Sequence, residues 1–108
     1  MFKRFTPLGF GLLLSALLAP ALAQQYPTRA VRIIAPFAVG GPTDIMARIM
    51  AQKLTEIHGQ QFVVDNRPGA GGNIGIGIAA NANPDGHTIL VVSSAYVVNP
   101  GLYSKSVY

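Results

Sequence analysis

Three short apolar runs, each closed by a proline, a glycine-rich loop or serines, and each separated from the next by a helical pattern, constrain this chain most. The first is Val31-Arg-Ile-Ile-Ala-Pro-Phe37. Its residues are mostly apolar at successive positions, as in strands buried on both faces of a parallel sheet. Pro36 has no N–H and should end the pairing. Gln61-Phe-Val-Val-Asp65 and Thr88-Ile-Leu-Val-Val-Ser93 read as the second and third strands.

Between the runs the spacing turns helical. Pro42 suits the first position of a helix, where its missing N–H would be unpaired anyway. Gly41 is then the N-cap and Asp44 falls at the third helical position, from which its carboxylate is expected to reach back to the Gly41 amide. Ile45, Met46, Ile49, Met50, the stem of Lys53, Leu54 and Ile57 form one apolar face. The helix should run to about His58, with Gly59 in the left-handed position that follows. A second helix is expected from Asn73 to about Ala82, with Ile74 and Ile78 as its seam. Gly75 and Gly77 lower its propensity and should allow close approach of a neighbour. Asn83-Pro-Asp-Gly86 is a turn. Ser94–Tyr103 holds a short helix broken by Pro100-Gly101.

Strand–helix–strand–helix–strand is the order of an α/β fold with a parallel sheet and right-handed crossovers. Ligands of such open sheets bind beyond the carboxyl ends of the strands. Loops 37–43, 66–72 and 93–96 all lie at such ends.

Residues 1–23 stand outside this pattern. Lys3 and Arg4 precede a Leu-rich stretch from Leu8 to about Leu18, and Ala21-Leu-Ala23 forms a small-x-small site before Gln24. That is the layout of a cleaved secretory signal peptide. The apolar run is broken by Pro20 and is shorter than the ~20 residues that span a bilayer. With no cysteine in the chain, lipidation at the cleavage point, disulfides, thiolate metal sites and a cysteine nucleophile are all excluded. The whole chain carries +4, but from Gln24 onward six basic side chains oppose four acidic ones, leaving +2. No basic run interleaves with aromatics, which gives nucleic-acid binding little support. Residues 24–108 are a small unit for a protein without disulfides. The C-terminal Tyr103-Ser-Lys-Ser-Val-Tyr108 carries no helix stop or polar tail, so the chain is expected to be the beginning of a larger domain.

Two of the loops are glycine-rich and lead into helix starts. Helix starts offer unpaired N–H groups and partial positive charge, and glycine lets an anion approach the backbone. Thr43, Asn73, Ser93 and Ser94 could add side-chain donors. Tight turns alone would also explain the glycines. The dinucleotide reading fails because Gly69-x-Gly71-x-x-Ile74 lacks its third glycine and follows the second strand. His58 and His87 fall in no nucleophile–base or metal-ligand spacing, so neither an enzyme nor a cofactor or metal site is expected. Arg67 is a candidate anion clamp, with an exposed loop arginine as the plainer alternative. Asp85 belongs to the turn.

Several strings are more specific. Tyr26-Pro-Thr-Arg-Ala-Val-Arg32, Pro36-Phe-Ala-Val-Gly-Gly-Pro-Thr-Asp44, Val64-Asp-Asn-Arg-Pro-Gly-Ala-Gly-Gly-Asn-Ile-Gly75, Asn83-Pro-Asp-Gly-His-Thr-Ile-Leu90 and Asn99-Pro-Gly-Leu-Tyr103 occur in order. Together they resemble the solute-binding receptors of tripartite tricarboxylate transporters, the Bug-type receptors. Asp65 stands where that family often has glutamate, and His87 where an aromatic is usual. The resemblance implies a type II periplasmic-binding-protein lobe, a three-layer α/β/α arrangement with a mainly parallel sheet. It further implies a two-lobed periplasmic receptor, monomeric at full length, that closes on a small carboxylate and delivers it to membrane permease subunits. Residues 24–108 would supply most of the first lobe only. By position, the ligand loops would be Phe37–Thr43 with Gly40 and Gly41, the Gly71-Gly72-Asn73 helix start, and Ser93-Ser94-Ala95. A receptor that signals to a membrane sensor kinase would look the same in these residues. A periplasmic enzyme on a similar scaffold is the reading from another class.

Overall fold

The computed structural model describes Ala23, residues 25–105, Val107 and Tyr108. Apart from Ala23, the expected signal segment lies outside the described residues. Three strands, β1 (Val31–Ala35), β2 (Phe62–Asn66) and β3 (Thr88–Leu90), form one sheet in the order β2-β1-β3. Both pairings are parallel, with Ile33 opposite Val64 on one side and Ile89 on the other. Helix α1 (Pro42–His58) connects β1 to β2, helix α2 (Asn73–Ala80) connects β2 to β3, and α3 (Ala95–Leu102) follows β3.

β1 is central, and its apolar run is buried as such a position requires: Val31, Ile33, Ile34 and Ala35 are fully enclosed. Val31, Ile33 and Ala35 share a cluster with Ala47 and Ala51 of α1 and Phe62 of β2. Ile34, by the alternation of a strand, faces the other way. α2 packs against β1 and β3 and buries Ile76. The layers are therefore helix, sheet, helix. Pro36 ends β1 as expected, while the third strand is shorter than the apolar run that encodes it. Val91 N–H still donates to Ile34 C=O at 3.0 Å, so the ladder reaches one residue past β3.

The face on which α1 packs differs from the sequence expectation. Ile45, Ile49 and Ile57 are 52%, 61% and 64% exposed, and Met46 and Met50 are exposed as well. The buried side is Asp44, Ala47 and Ala51, with Leu54 packed at the edge of the core. A helix lying directly over a sheet of branched residues comes closest along its smallest side chains. The alanines, not the isoleucines, mark that line of contact. The same correction holds for α2, where Ile76 is buried and Ile74 is mostly exposed, so the seam is Ile76 rather than Ile74 and Ile78.

The connections are held by side chains as well as by backbone. Thr55 Oγ1 donates to Ala51 C=O at 2.8 Å and accepts from Phe62 N–H at 3.0 Å, tying the end of α1 to the start of β2. Gly59 ends α1, its N–H donating to Thr55 C=O at 2.9 Å. At the same end of the sheet, before β1 and β3, Arg29 pairs with Asp85 at 2.8 Å, and the buried His87 accepts from Thr28 N–H. Pro100 lies inside α3 rather than breaking it. Its missing N–H leaves Tyr96 C=O without an intrahelical donor, and Tyr108 Oη donates there at 2.9 Å.

Candidate functional site

β1 and β3 both deliver their loops to the same edge, and there Phe37, Ala38, Gly41, Pro42, Thr43 and Ser93 line a cavity of about 470 Å³. Four residues named from sequence, Phe37, Gly41, Thr43 and Ser93, thus meet at one place. The cavity abuts the start of α1. Pro42 has no N–H, so the first amides that α1 itself leaves unpaired are those of Thr43 and Asp44. Ile45 N–H already donates to Gly41 C=O at 3.0 Å. The lining is mainly carbon, with main-chain polar atoms and two hydroxyls. Such a site suits a small molecule with one anionic end.

Asp44 lies directly beneath this loop and is 2% exposed. Its Oδ2 accepts from Gly40 N–H at 2.8 Å and from Arg48 Nε at 3.1 Å, and its Oδ1 accepts from Asn66 Nδ2 at 2.9 Å. The Gly40 amide, then Arg48 and Asn66, hold its carboxyl at about 2, below the usual 3.8. The side chain reaches back as the sequence implied, but to Gly40 instead of Gly41. Gly41 N–H donates to Ala38 C=O at 3.3 Å. Gly40 therefore has no free amide to offer a ligand. Asn66, at the end of β2, also donates to Phe37 C=O at 3.3 Å. Sequence reasoning passed over Asn66. Its signal was a side-chain amide at a strand end beside the loop.

The other named residues are placed differently. Gly72 packs against the Phe37 ring, and a Cβ there would stand 3.0 Å from Cζ. Gly71 faces the Tyr103 hydroxyl. Asn73 is buried, and its Oδ1 accepts from Asn99 Nδ2 at 2.8 Å, a nitrogen that also donates to Gly71 C=O at 2.9 Å. The second glycine-rich loop thus supports the first from behind and does not line the cavity. Ser93 Oγ accepts from Ala95 N–H at 3.4 Å, and the exposed Ser94 stands at the N-cap position of α3 without a side-chain capping bond. Arg67 pairs with Asp65 at 2.9 Å. Asp65 also accepts from Arg32 Nε at 2.6 Å. Burial works to raise the carboxyl of Asp65, but the two arginines outweigh it and lower it. Among the described residues no group of three His, Asp or Glu side chains is arranged to hold a metal ion.

A family model described as the tripartite tricarboxylate transporter family receptor matches residues 46–108. BugT of Bordetella pertussis is 40% identical over 102 residues, covering 94% of this chain and 31% of BugT. The solved structure of the periplasmic binding protein BugD superposes with a TM-score of 0.74 at 43% identity, over 77% of this chain and 28% of that one. The structure of R. palustris Rpa4515 with adipate gives a TM-score of 0.73 at 39% identity, again over 77% and 28%. The chain spans less than a third of the length of these relatives. With the family model matched over more than half of its residues and the sheet superposing on solved members, the chain belongs to the tripartite tricarboxylate transporter receptors, the Bug-type periplasmic binding proteins.

Proposed function

We propose that this chain is the first-lobe portion of an exported, two-lobed periplasmic receptor, with residues 1–23 as its leader, that captures a small carboxylate for a tripartite-type permease. The observation that carries the reading is the cavity where Phe37, Gly41, Thr43 and Ser93 converge on the start of α1. A ligand carboxylate placed there accepts from the Thr43 amide and from the Thr43 and Ser93 hydroxyls, with the helix dipole favouring its charge. The Phe37 ring covers the carbon chain beside it. No arginine is required, because several neutral donors share one charge. The adipate held by a structural relative is of this chemical class, a chain of carbons with carboxylates at its ends. The far end of the ligand is read by the part of the receptor beyond these residues, consistent with relatives more than three times as long. The role is capture, and no step of bond making is assigned to any residue.

A thermal-shift screen of the mature receptor against adipate, malate and citrate tests this. An acid bound only by the native state at a hundredfold excess over its Kd adds ~2.7 kcal/mol of stability. The expected result is a clear rise in Tm with one acid, abolished by Gly41→Leu, which fills the cavity. A receptor that answers to none of these acids, nor to other carboxylates, refutes the reading.

A further inference from the structure

We propose that Asp44 and Asn66 are a positioning pair that sets the first loop in its anion-binding geometry without touching the ligand, an inference that rests on the carboxylate reading above. One carboxylate and one amide hold both ends of the segment Phe37–Gly40. Asp44 Oδ2 accepts from Gly40 N–H, and Asn66 Nδ2 donates to Phe37 C=O while also donating to Asp44 Oδ1. Arg48 closes the ring, donating to Asp44 Oδ2 and, at 3.3 Å, to Asn66 Oδ1.

Helix capping alone does not account for this arrangement. A residue at the third helical position that caps its own helix reaches the N-cap amide, here Gly41. Asp44 passes that amide by and takes the one before it, and it recruits a side chain from a different strand. The outcome is that the amide of Gly40 points inward. The Gly41–Thr43 segment is left to face the cavity.

Charge is the second argument. A buried carboxylate beside an anion site would repel the ligand, and a low-dielectric setting strengthens that repulsion. Three donors surround Asp44, one of them the Arg48 guanidinium, so its charge is spent inside the fold. The pair organises the loop with an anion whose field is already answered.

The test uses the mature receptor titrated calorimetrically with adipate, malate and citrate, together with hydrogen exchange at the Gly40 amide. Asp44→Asn and Asn66→Ala are compared with Leu54→Ala, which loosens the core away from the loop. The expected result is a rise in Kd of about tenfold or more in both loop variants, equivalent to ~1.4 kcal/mol. Gly40 exchange should speed up by at least a similar factor, whereas Leu54→Ala should lower Tm and leave Kd and Gly40 exchange unchanged. Unchanged Kd and exchange in both loop variants overturn the proposal. So does a loss of affinity in Leu54→Ala equal to theirs, because the effect is then general loosening. If the wild type binds no acid while Asp44→Asn still releases the Gly40 amide, the carboxylate reading fails and the hold of the pair on the loop stands.

Discussion

The two glycine-rich loops, 37–43 and 66–72, resemble each other in composition and both lead into helices, yet the fold uses them in opposite ways. A Cβ added at Gly40 meets nothing within 4 Å, and at Gly41 only Ala38 C=O at 3.3 Å. The same atom added at Gly69, Gly71 or Gly72 runs into the Ile74 side chain at 2.6 Å, the Tyr103 hydroxyl at 2.7 Å or the Phe37 ring at 3.0 Å. The first loop leaves open space around its glycines. The second is lean so that its neighbours can close over it. Glycine content alone cannot tell a binding loop from a packing loop, since removing a side chain serves both purposes.

The contrast is sharpest just past the second loop. At Gly75 a Cβ would sit 2.6 Å from Pro36 Cβ, in a rigid ring, and 2.8 Å from the backbone carbonyl of Arg67. Gly75→Val should therefore cost about 3 kcal/mol, the upper range for overpacking, read from denaturant unfolding. A cost below that of an ordinary surface change would mean that α2 does not seat against the end of β1.

Next in size is the acid limb. The carboxyl of Asp44 sits at about 2 in the fold against 3.8 ordinarily. A depressed folded value stabilises fully above 3.8 and loses that contribution as pH falls through about 2. Stability of the wild type should drop across this window, and Asp44→Asn, weaker at neutral pH, should show a flatter acid limb. Parallel limbs for the two proteins would remove Asp44 from the first loop's support.

Gly72→Ala tests whether the second loop supports the first. Its φ of +98° is strained for any side chain, and the new methyl meets the Phe37 ring. About 1–2 kcal/mol of stability should be lost, with weaker carboxylate binding because Phe37 moves. Gly40→Ala carries similar backbone strain at φ +87° but has open space around it, so a smaller loss of about 1 kcal/mol is expected. If Gly40→Ala proves the more damaging, the comparison between the loops is reversed. Arg67→Ala should be the mildest, under ~0.5 kcal/mol and without effect on ligand affinity, since Arg67 is half exposed and answers Asp65. A large loss of affinity there would restore the arginine-clamp reading.

Much of the fold was legible before the structure. The alternation of strands and helices, the extent of α1, Pro36 as a terminator and Gly59 as a helix end follow from residue types whose backbone preferences are strong and local. Which face of α1 packs inward was not legible. Periodicity weighs side chains by hydrophobicity, and Ile45, Ile49 and Ile57 outweigh Ala47 and Ala51 on that scale. Contact with a flat sheet selects for small side chains instead. Phe37, Gly41, Thr43 and Ser93, which meet at the cavity, were legible as neighbours because each lies in a loop or helix start that follows a strand. Asn66 was not, because a side-chain amide reveals its partner only once two loops are brought side by side.

What the sequence determined by itself is the alternation of strands and helices, the edge at which the loops gather, and through its motifs the receptor family. These depend on short-range chemistry: proline without an N–H, apolar runs of strand length, and strings read in order. Only the tertiary structure decided which glycine-rich loop stays open, which amide Asp44 holds, and that Asn73 serves Asn99 in the interior. Each of those outcomes depends on groups far apart in the chain competing for the same donor or the same space, and that competition is settled only when they meet.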